Sequence, residues 1–401
     1  MNKSNGRVAG FALISAEVLP VSFSARIAET HGASMTGFGR SVTSYTMPLV
    51  ALAMAVAVKA SGLSVDEGSL NVRILVGALS SAIMFTTIFV VLDHAETVAR
   101  RVGEPYGTLV LTFAVTAIEV SIIVAMMLHG ENNPTLARES VFSTVMITST
   151  GVVGTCLTLG GWRHRKQAIV RQGTSAYLAV LIALTVMTLI LPTYTQTTDP
   201  GTFSAAQLGL VSVLSVLLYA SFVFAQTVRH REDFVQGLEH EVSTRTAHRE
   251  SVSVSALLLV SGLIGIVMLA EQVAASVENT LVAYQVTQAD SIVGALIAGL
   301  VLMPEAISAV RASLNNELQR GLNVAMGSAC ATIGLTIPAV AAASLLTGRG
   351  LTLGLPATDA VLLVLALFIC SVSFSNERTT FLTGMVHIVV FFTFVFLIFV
   401  P

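Results

Sequence analysis

Apolar residues along this chain fall into long blocks separated by short polar or glycine-rich breaks, from Tyr45 to the C-terminus. A membrane span needs about 20 mostly apolar residues to cross roughly 30 Å of hydrocarbon. Marking each apolar run bounded by charges, Gly, Pro or Asn predicts eleven spans: 43–62, 72–92, 107–128, 140–162, 174–194, 205–228, 252–272, 290–310, 321–346, 355–374 and 380–400. The expected fold class is therefore an all-α polytopic membrane protein.

The basic residues test this count and orient it. With the N-terminus in the cytoplasm, Lys3, Arg7, Arg26, Arg40, Arg100, Arg101, Arg163, Arg165, Lys166, Arg171, Arg229, Arg231, Arg245, Arg249, Arg311, Arg320 and Arg378 all lie inside. Only Lys59, Arg73, Arg138 and Arg349 fall outside, as the positive-inside rule expects. An odd number of spans places Pro401 outside, and Trp162 ends the fourth span beside the basic RHRK loop, a usual interfacial place for an indole. Residues 1–42 have no convincing signal peptide, because the apolar stretch from Gly10 to Phe23 is short and contains Glu17, so they are expected to form a cytoplasmic extension. The remaining organisation reads as a first transmembrane helix over 43–68, five helices over 69–228, a cytoplasmic linker over 229–251 and five more helices over 252–401. The expected location is a membrane, crossed many times with the N-terminus inside.

Composition agrees: 54% of the 401 residues are hydrophobic and 11% charged, values foreign to a soluble globular chain. A net charge of −2 without a basic patch beyond the short loops excludes a nucleic-acid partner. Cys156, Cys330 and Cys370 all lie within apolar runs with no metal or redox spacing, so they are expected to be core residues.

Within this apolar background two carboxylic acids are out of place. Glu119 lies in the middle of TLVLTFAVTAIEVSIIVAMML, and Glu305 lies in IVGALIAGLVLMPEAISAV. An ionised carboxylate at the membrane centre costs about 2.5–3.5 kcal/mol, and such residues mark functional sites. The third and eighth spans run in opposite directions, so the acids are expected on antiparallel helices. Glu119 is followed by Asn132, Asn133 and Arg138, Glu305 by Asn315, Asn316 and Arg320, a weak internal echo of the kind a duplication leaves. Spans 2–6 and 7–11 would then form inverted repeats, whose meeting point at the midplane is where transporters bind their ions. The helices after each acid are rich in small and hydroxyl residues, with Ser143, Thr144, Thr148, Ser149, Thr150 and Gly151 in one and Gly327, Ser328 and Thr332 in the other. Two readings stand: close helix packing, or an unwound helix offering oxygens. Pro304, immediately before Glu305, predicts either a local helix break or a kink.

Two carboxylates with oxygen-bearing neighbours suit hard cations. Carboxylates withdrawn from water also take protons readily, so one site serves either ion, and competition between them yields exchange when the site opens to one side at a time.

Three stretches, GEPYGTLVLTFAVTAIEVSI, PEAISAVRASLNNELQRGLNVAMGSACATIGLTIPAV and SFSNERTTFLTGMVH, resemble the bacterial ChaA-type calcium/proton antiporters of the calcium:cation antiporter superfamily. The resemblance covers roughly Leu92 to the C-terminus and implies a location in the bacterial inner membrane. It implies a first helix followed by two inverted five-helix repeats, the two essential acids at Glu119 and Glu305, and export of calcium, or of sodium or potassium, against inward proton flow. The chain departs from the Gly-Asn-Ala-x-Glu pattern of other calcium/proton exchangers, carrying VTAIE and VLMPE instead. Thr116 is then the candidate for one missing oxygen, and Thr148 or Ser149 and Ala331 stand where companion-helix amides are expected.

His387, inside the last span, is either a proton relay or a hydrogen-bonded packing residue. Asp93, His94 and Glu96 are expected to close the second span, Asp290 to open the eighth and Asp359 the tenth. Glu271 and Asp290 flank an outer mouth, and Glu239, His240, Glu241 and His248 in the linker are candidates for cation or pH sensing, although charged loops are usually just solvated. No HExxH, GxSxG or phosphate-binding glycine loop occurs, so neither an enzyme nor ATP drive is expected, no cofactor is implied, and an ion gradient is the expected energy source. The rival functions are a sodium/calcium exchanger and a proton-independent cation channel. The expected partners are inorganic cations, protons and the lipid bilayer.

Overall fold

Hydrocarbon offers no hydrogen bonds to a backbone, so each apolar run must close its own ladder, and only a helix does that within one segment. The computed structural model describes residues 37–60, 70–102, 106–129, 133–230, 252–284 and 288–400. They form α1 (Gly37–Ala60), α2 (Leu70–Val102), α3 (Tyr106–His129), α4 (Leu136–His164), α5 (Arg171–Tyr194), α6 (Ala205–Arg229), α7 (Val252–Ala283), α8 (Ala289–Leu314), α9 (Leu318–Thr347), α10 (Ala357–Phe374) and α11 (Phe381–Phe399). Among the described residues ten helices are long and apolar enough to cross a membrane, and α3 adds a shorter apolar stretch, Phe113–Met127. Each of the eleven predicted runs thus has its helix.

The predicted boundaries err most at α2 and α7, which run about one to three turns past the charges taken as their ends. A charge marks where hydrocarbon stops, whereas a helix goes on as long as its ladder is satisfied. Asp93, His94 and Glu96 therefore lie inside α2, and His94 is buried. The N-terminal extension up to residue 36 and the linker residues Glu239, His240, Glu241 and His248 lie outside the described residues, as do the side chains of Glu271 and Glu278.

Of the two readings at Pro304, a break or a kink, the break is absent, since α8 is continuous through it. Proline removes one N–H and crowds one carbonyl, but ending the helix inside an apolar run would strand many more backbone groups. Irregularity appears instead as π-helical turns, among them Ile147–Val152 in α4 and Thr332–Thr336 in α9. Neither helix is unwound. Each widens by part of a turn, a distortion often found at functional sites.

Packing places α4 at the centre of the larger core. It lies against α8 along its first half and against α11 along its second, while the π-turn of α9 meets α3. A Cβ on Gly384 of α11 would press into the backbone of α4 at Leu157, so glycine is what permits this approach. The three cysteines are buried and free, as expected of core residues.

The two ends of α4 carry different loop contacts. At its C-terminal end, β1 (Gln167–Ala168) pairs antiparallel with β2 (Arg378–Thr379). Gln167 Nε2 donates to the Ser313 carbonyl at 2.8 Å, the Val170 N–H donates to Gln319 Oε1 at 2.9 Å, and His164 Nε2 lies 2.9 Å from the Leu314 carbonyl oxygen. At its N-terminal end, the Thr352 N–H donates to the Pro134 carbonyl at 2.9 Å, and Thr135 Oγ1 donates to Asp290 Oδ2 at 2.9 Å. One end joins the α4–α5 and α8–α9 loops; the other joins the α3–α4 and α9–α10 loops.

Candidate functional site: two carboxylates between the π-turns

Glu119 projects from the middle of α3 into the place where α4 and α9 pass it. It is buried, with 5% of its surface exposed. Two hydroxyls reach its carboxylate: Thr144 of α4 donates to Oε1 at 3.3 Å, and Thr332 of α9 donates to Oε2 at 2.5 Å. Thr144 lies one turn before the first π-turn, and Thr332 opens the second. A hydrogen bond to a charged group is worth about 1.5–3 kcal/mol, so two of them are of the same size as the roughly 2.5–3.5 kcal/mol cost of an ionised acid at that depth. The carboxylate is tolerated because helices from both halves of the chain contribute to holding it.

Glu305 is different. It is half-buried on α8, its Oε2 is enclosed without a hydrogen-bond partner, and it lies within electrostatic reach of Glu119. The asymmetry has a source in the sequence. In the register that pairs Gly151 with Gly334, Thr332 corresponds to Ser149, and Thr144 corresponds to Gly327. Ser149 Oγ turns back to the Val145 carbonyl at 2.6 Å, and Gly327 has no side chain, so Glu305 receives neither hydroxyl. One acid is clamped while its partner keeps a free oxygen.

The other residues singled out from sequence fall into separate places. Thr116 is buried on α3 one turn from Glu119. Thr148 is buried with an unpartnered Oγ1, and Ser328 is half-buried on α9. His387 is fully buried: its Nδ1 lies 2.9 Å from the Ser149 carbonyl oxygen and its Nε2 lies 2.9 Å from Ser373 Oγ. That carbonyl belongs to the π-turn of α4, so His387 braces the distorted segment. Thr144 and Thr332 were visible in sequence only as members of hydroxyl-rich helices; nothing in the spacing distinguished them from their neighbours. Among the described residues no group of three or more His, Cys, Asp and Glu side chains gathers as for a metal ion, so the centre is a carboxylate pair with hydroxyls.

A second polar cluster sits at the N-terminal end of α4 and had no counterpart in the sequence reading. Glu139 is buried there and paired with Arg138 at 2.5 Å, Ser291 Oγ donates to its Oε2 at 3.0 Å, and Asp359 lies within electrostatic reach of both members of the pair.

A membrane-embedded bundle whose two hydroxyl-bearing, π-distorted helices meet a pair of carboxylates defines a polytopic ion transporter. Residues 72–228 and 254–400 match the sodium/calcium exchanger protein family, and the chain belongs to that family, which consists of transporters and not enzymes. It is 42% identical over 327 residues to the "Putative ionic transporter y4hA" of Sinorhizobium fredii (strain NBRC 101917 / NGR234), covering 80% of this chain and 88% of that one. It is 35% identical over 336 residues to the "Sodium-potassium/proton antiporter ChaA" of Escherichia coli (strain K12), covering 82% and 89%. The fold is similar to that of the selenium-substituted Ca2+/H+ antiporter protein YfkE, with a TM-score of 0.65 at 15% identity over 89% of this chain and 99% of that one.

Proposed function

We propose that this protein is a secondary active cation/proton antiporter in which Glu119 and Glu305 take up either a hard cation or protons and expel the cation by alternating access. The observation that carries the reading is the carboxylate pair itself: Glu119 held by Thr144 and Thr332, within electrostatic reach of the unpartnered Oε2 of Glu305. Two deprotonated carboxylates close together repel, and a bound cation or a shared proton relieves that repulsion. Each ion then stabilises the same site, which is the requirement for exchange. The basic end of the bundle, with Arg163, Arg165, Lys166, Arg311, Arg320 and Arg378, faces the cytoplasm by the positive-inside rule, and the N-terminal end of α4 faces outward.

The cation is calcium, sodium or potassium. Calcium takes 6–8 oxygens, and the donors gathered here, two carboxylates and two threonine hydroxyls, are few for it. The names of the relatives support both monovalent ions and calcium as partners for the proton. A proton-independent channel fits less well, because a static pore does not require acids on antiparallel helices of two repeats.

Everted vesicles from an antiporter-deficient host test this directly, by following collapse of a respiration-generated proton gradient when calcium, sodium or potassium is added. Collapse is expected with at least one ion, and the most effective ion names the substrate. Glu119→Gln and Glu305→Gln are each expected to abolish it while leaving insertion intact. Since protons and cation compete, the half-saturating cation concentration should rise as pH falls. Exchange retained in both variants, or a half-saturating concentration indifferent to pH, would sink the reading.

A further inference from the structure

The polar cluster at the N-terminal end of α4 surrounds a cavity. Glu139, Ser143, Gln288, Ser291 and Asp359 are its polar lining residues, and Phe142 and Phe394, stacked edge to face 5.6 Å apart, belong to its apolar wall. It has room for about one water-sized occupant.

Two features separate this cavity from an ordinary salt-bridged helix end. Arg138 holds Oε1 of Glu139 and the Gly354 carbonyl, so it is already committed on both sides, and Asp359 faces the cavity with no salt bridge of its own among the described residues. Ser143 is also only 2% exposed and lines the cavity, and no hydrogen bond of its hydroxyl occurs among the described residues. Its oxygen is not fully enclosed and opens toward the cavity, where an occupant can take its lone pair.

We propose that this cavity is a second cation site, taking one hard cation between Glu139, Asp359 and the hydroxyls of Ser143 and Ser291. Carboxylate and hydroxyl oxygens select calcium or alkali ions over soft metals. The site lies on the same helix as the central pair: Ser143 is adjacent to Thr144, which donates to Glu119. An ion leaving Glu119 outward would meet Ser143 first and Asp359 next. The inference rests on the antiport reading for its role as an exit station, though not for the binding itself.

The experiment uses purified full-length protein in lipid nanodiscs, titrated separately with calcium-45 and sodium-22 by equilibrium dialysis. The Glu119→Gln/Glu305→Gln double variant has no charge left at the central pair. It is expected to keep one equivalent of bound cation. Adding Asp359→Asn should weaken that residual binding roughly tenfold or more, since affinity follows ligand charge, and adding Ser143→Ala should weaken it about threefold for the loss of one neutral oxygen. Ser143→Ala changes no charge, so it decides the matter even where Asp359→Asn fails to fold, as monitored by elution profile and thermal unfolding. No cation bound by the double variant overturns the inference, and so does residual binding indifferent to Ser143→Ala. Failure of the antiport reading looks different: there the single glutamate variants keep exchange in vesicles, whatever the double variant binds.

Discussion

Thr332 does for Glu119 what no residue of the acid's own helix can do, bringing a hydroxyl from the other half of the chain to 2.5 Å from Oε2. Its removal separates positioning from chemistry. Thr332→Val keeps the shape of the side chain and deletes a charge-assisted bond of about 1.5–3 kcal/mol, so the half-saturating cation concentration should rise by roughly tenfold or more, while Thr332→Ser should restore most of the loss. Both are read in the vesicle assay, and a valine variant with unchanged affinity would show the hydroxyl to be mere packing. The two acids themselves were legible from sequence, because a carboxylate inside an apolar run is costly wherever the run ends up. Their hydroxyl partners were not. Thr144, Thr148, Ser149 and Thr150 are alike in one dimension, and only the crossing of α3, α4 and α9 decides which of them meets a carboxylate.

At the scale of the element, a distorted helix needs an outside brace. In α4 the Ser149 carbonyl, inside the π-turn, meets both His387 of α11 and the thiol of Cys370, and His387 also contacts Ser373 of α10. His387→Leu leaves the buried Ser373 hydroxyl without its imidazole partner and the Ser149 carbonyl with only the weak Cys370 thiol donor, at about 1–3 kcal/mol for an unsatisfied buried group. A lower thermal unfolding midpoint is therefore expected, while the protein that survives should keep the wild-type pH profile of exchange. A shifted profile in a variant of normal stability would instead put His387 on the proton path. Sequence placed this histidine inside the last span and left both roles open, since the partner carbonyl is 238 positions away. Pro304 teaches the complementary lesson. Its local preference for ending a helix lost to the cost of stranding the ladder of α8.

For the whole molecule, the loop contacts at the two ends of α4 are hydrogen-bonded between the same kinds of segment, with the roles of the two halves of the chain exchanged. Alternating access requires one set to part while the other holds. Thr135 Oγ1 and Asp290 Oδ2 are 2.9 Å apart at the end we assign outward, so Thr135→Cys/Asp290→Cys should form a disulfide under mild oxidation. Exchange is expected to fall to background on cross-linking and to return with reductant. Undiminished exchange in the fully cross-linked protein would mean that this end does not open between α4 and α8. The native cysteines at 156, 330 and 370 are buried and leave the engineered pair as the accessible one.

Length and polarity of each run, the sign of the loops and the presence of two acids were properties of the chain alone, and they were enough for eleven helices, an expected orientation and a pair of candidate residues. These follow from transfer between water and hydrocarbon, which acts on each segment independently. What surrounds Glu119, why Glu305 keeps an unpartnered oxygen, and how Glu139, Ser143 and Asp359 come to enclose a cavity depend on groups brought together from helices far apart in sequence. Such contacts are settled by which helix faces fit together, through glycines such as Gly384 and turns such as Ile147–Val152, and no single span carries that information.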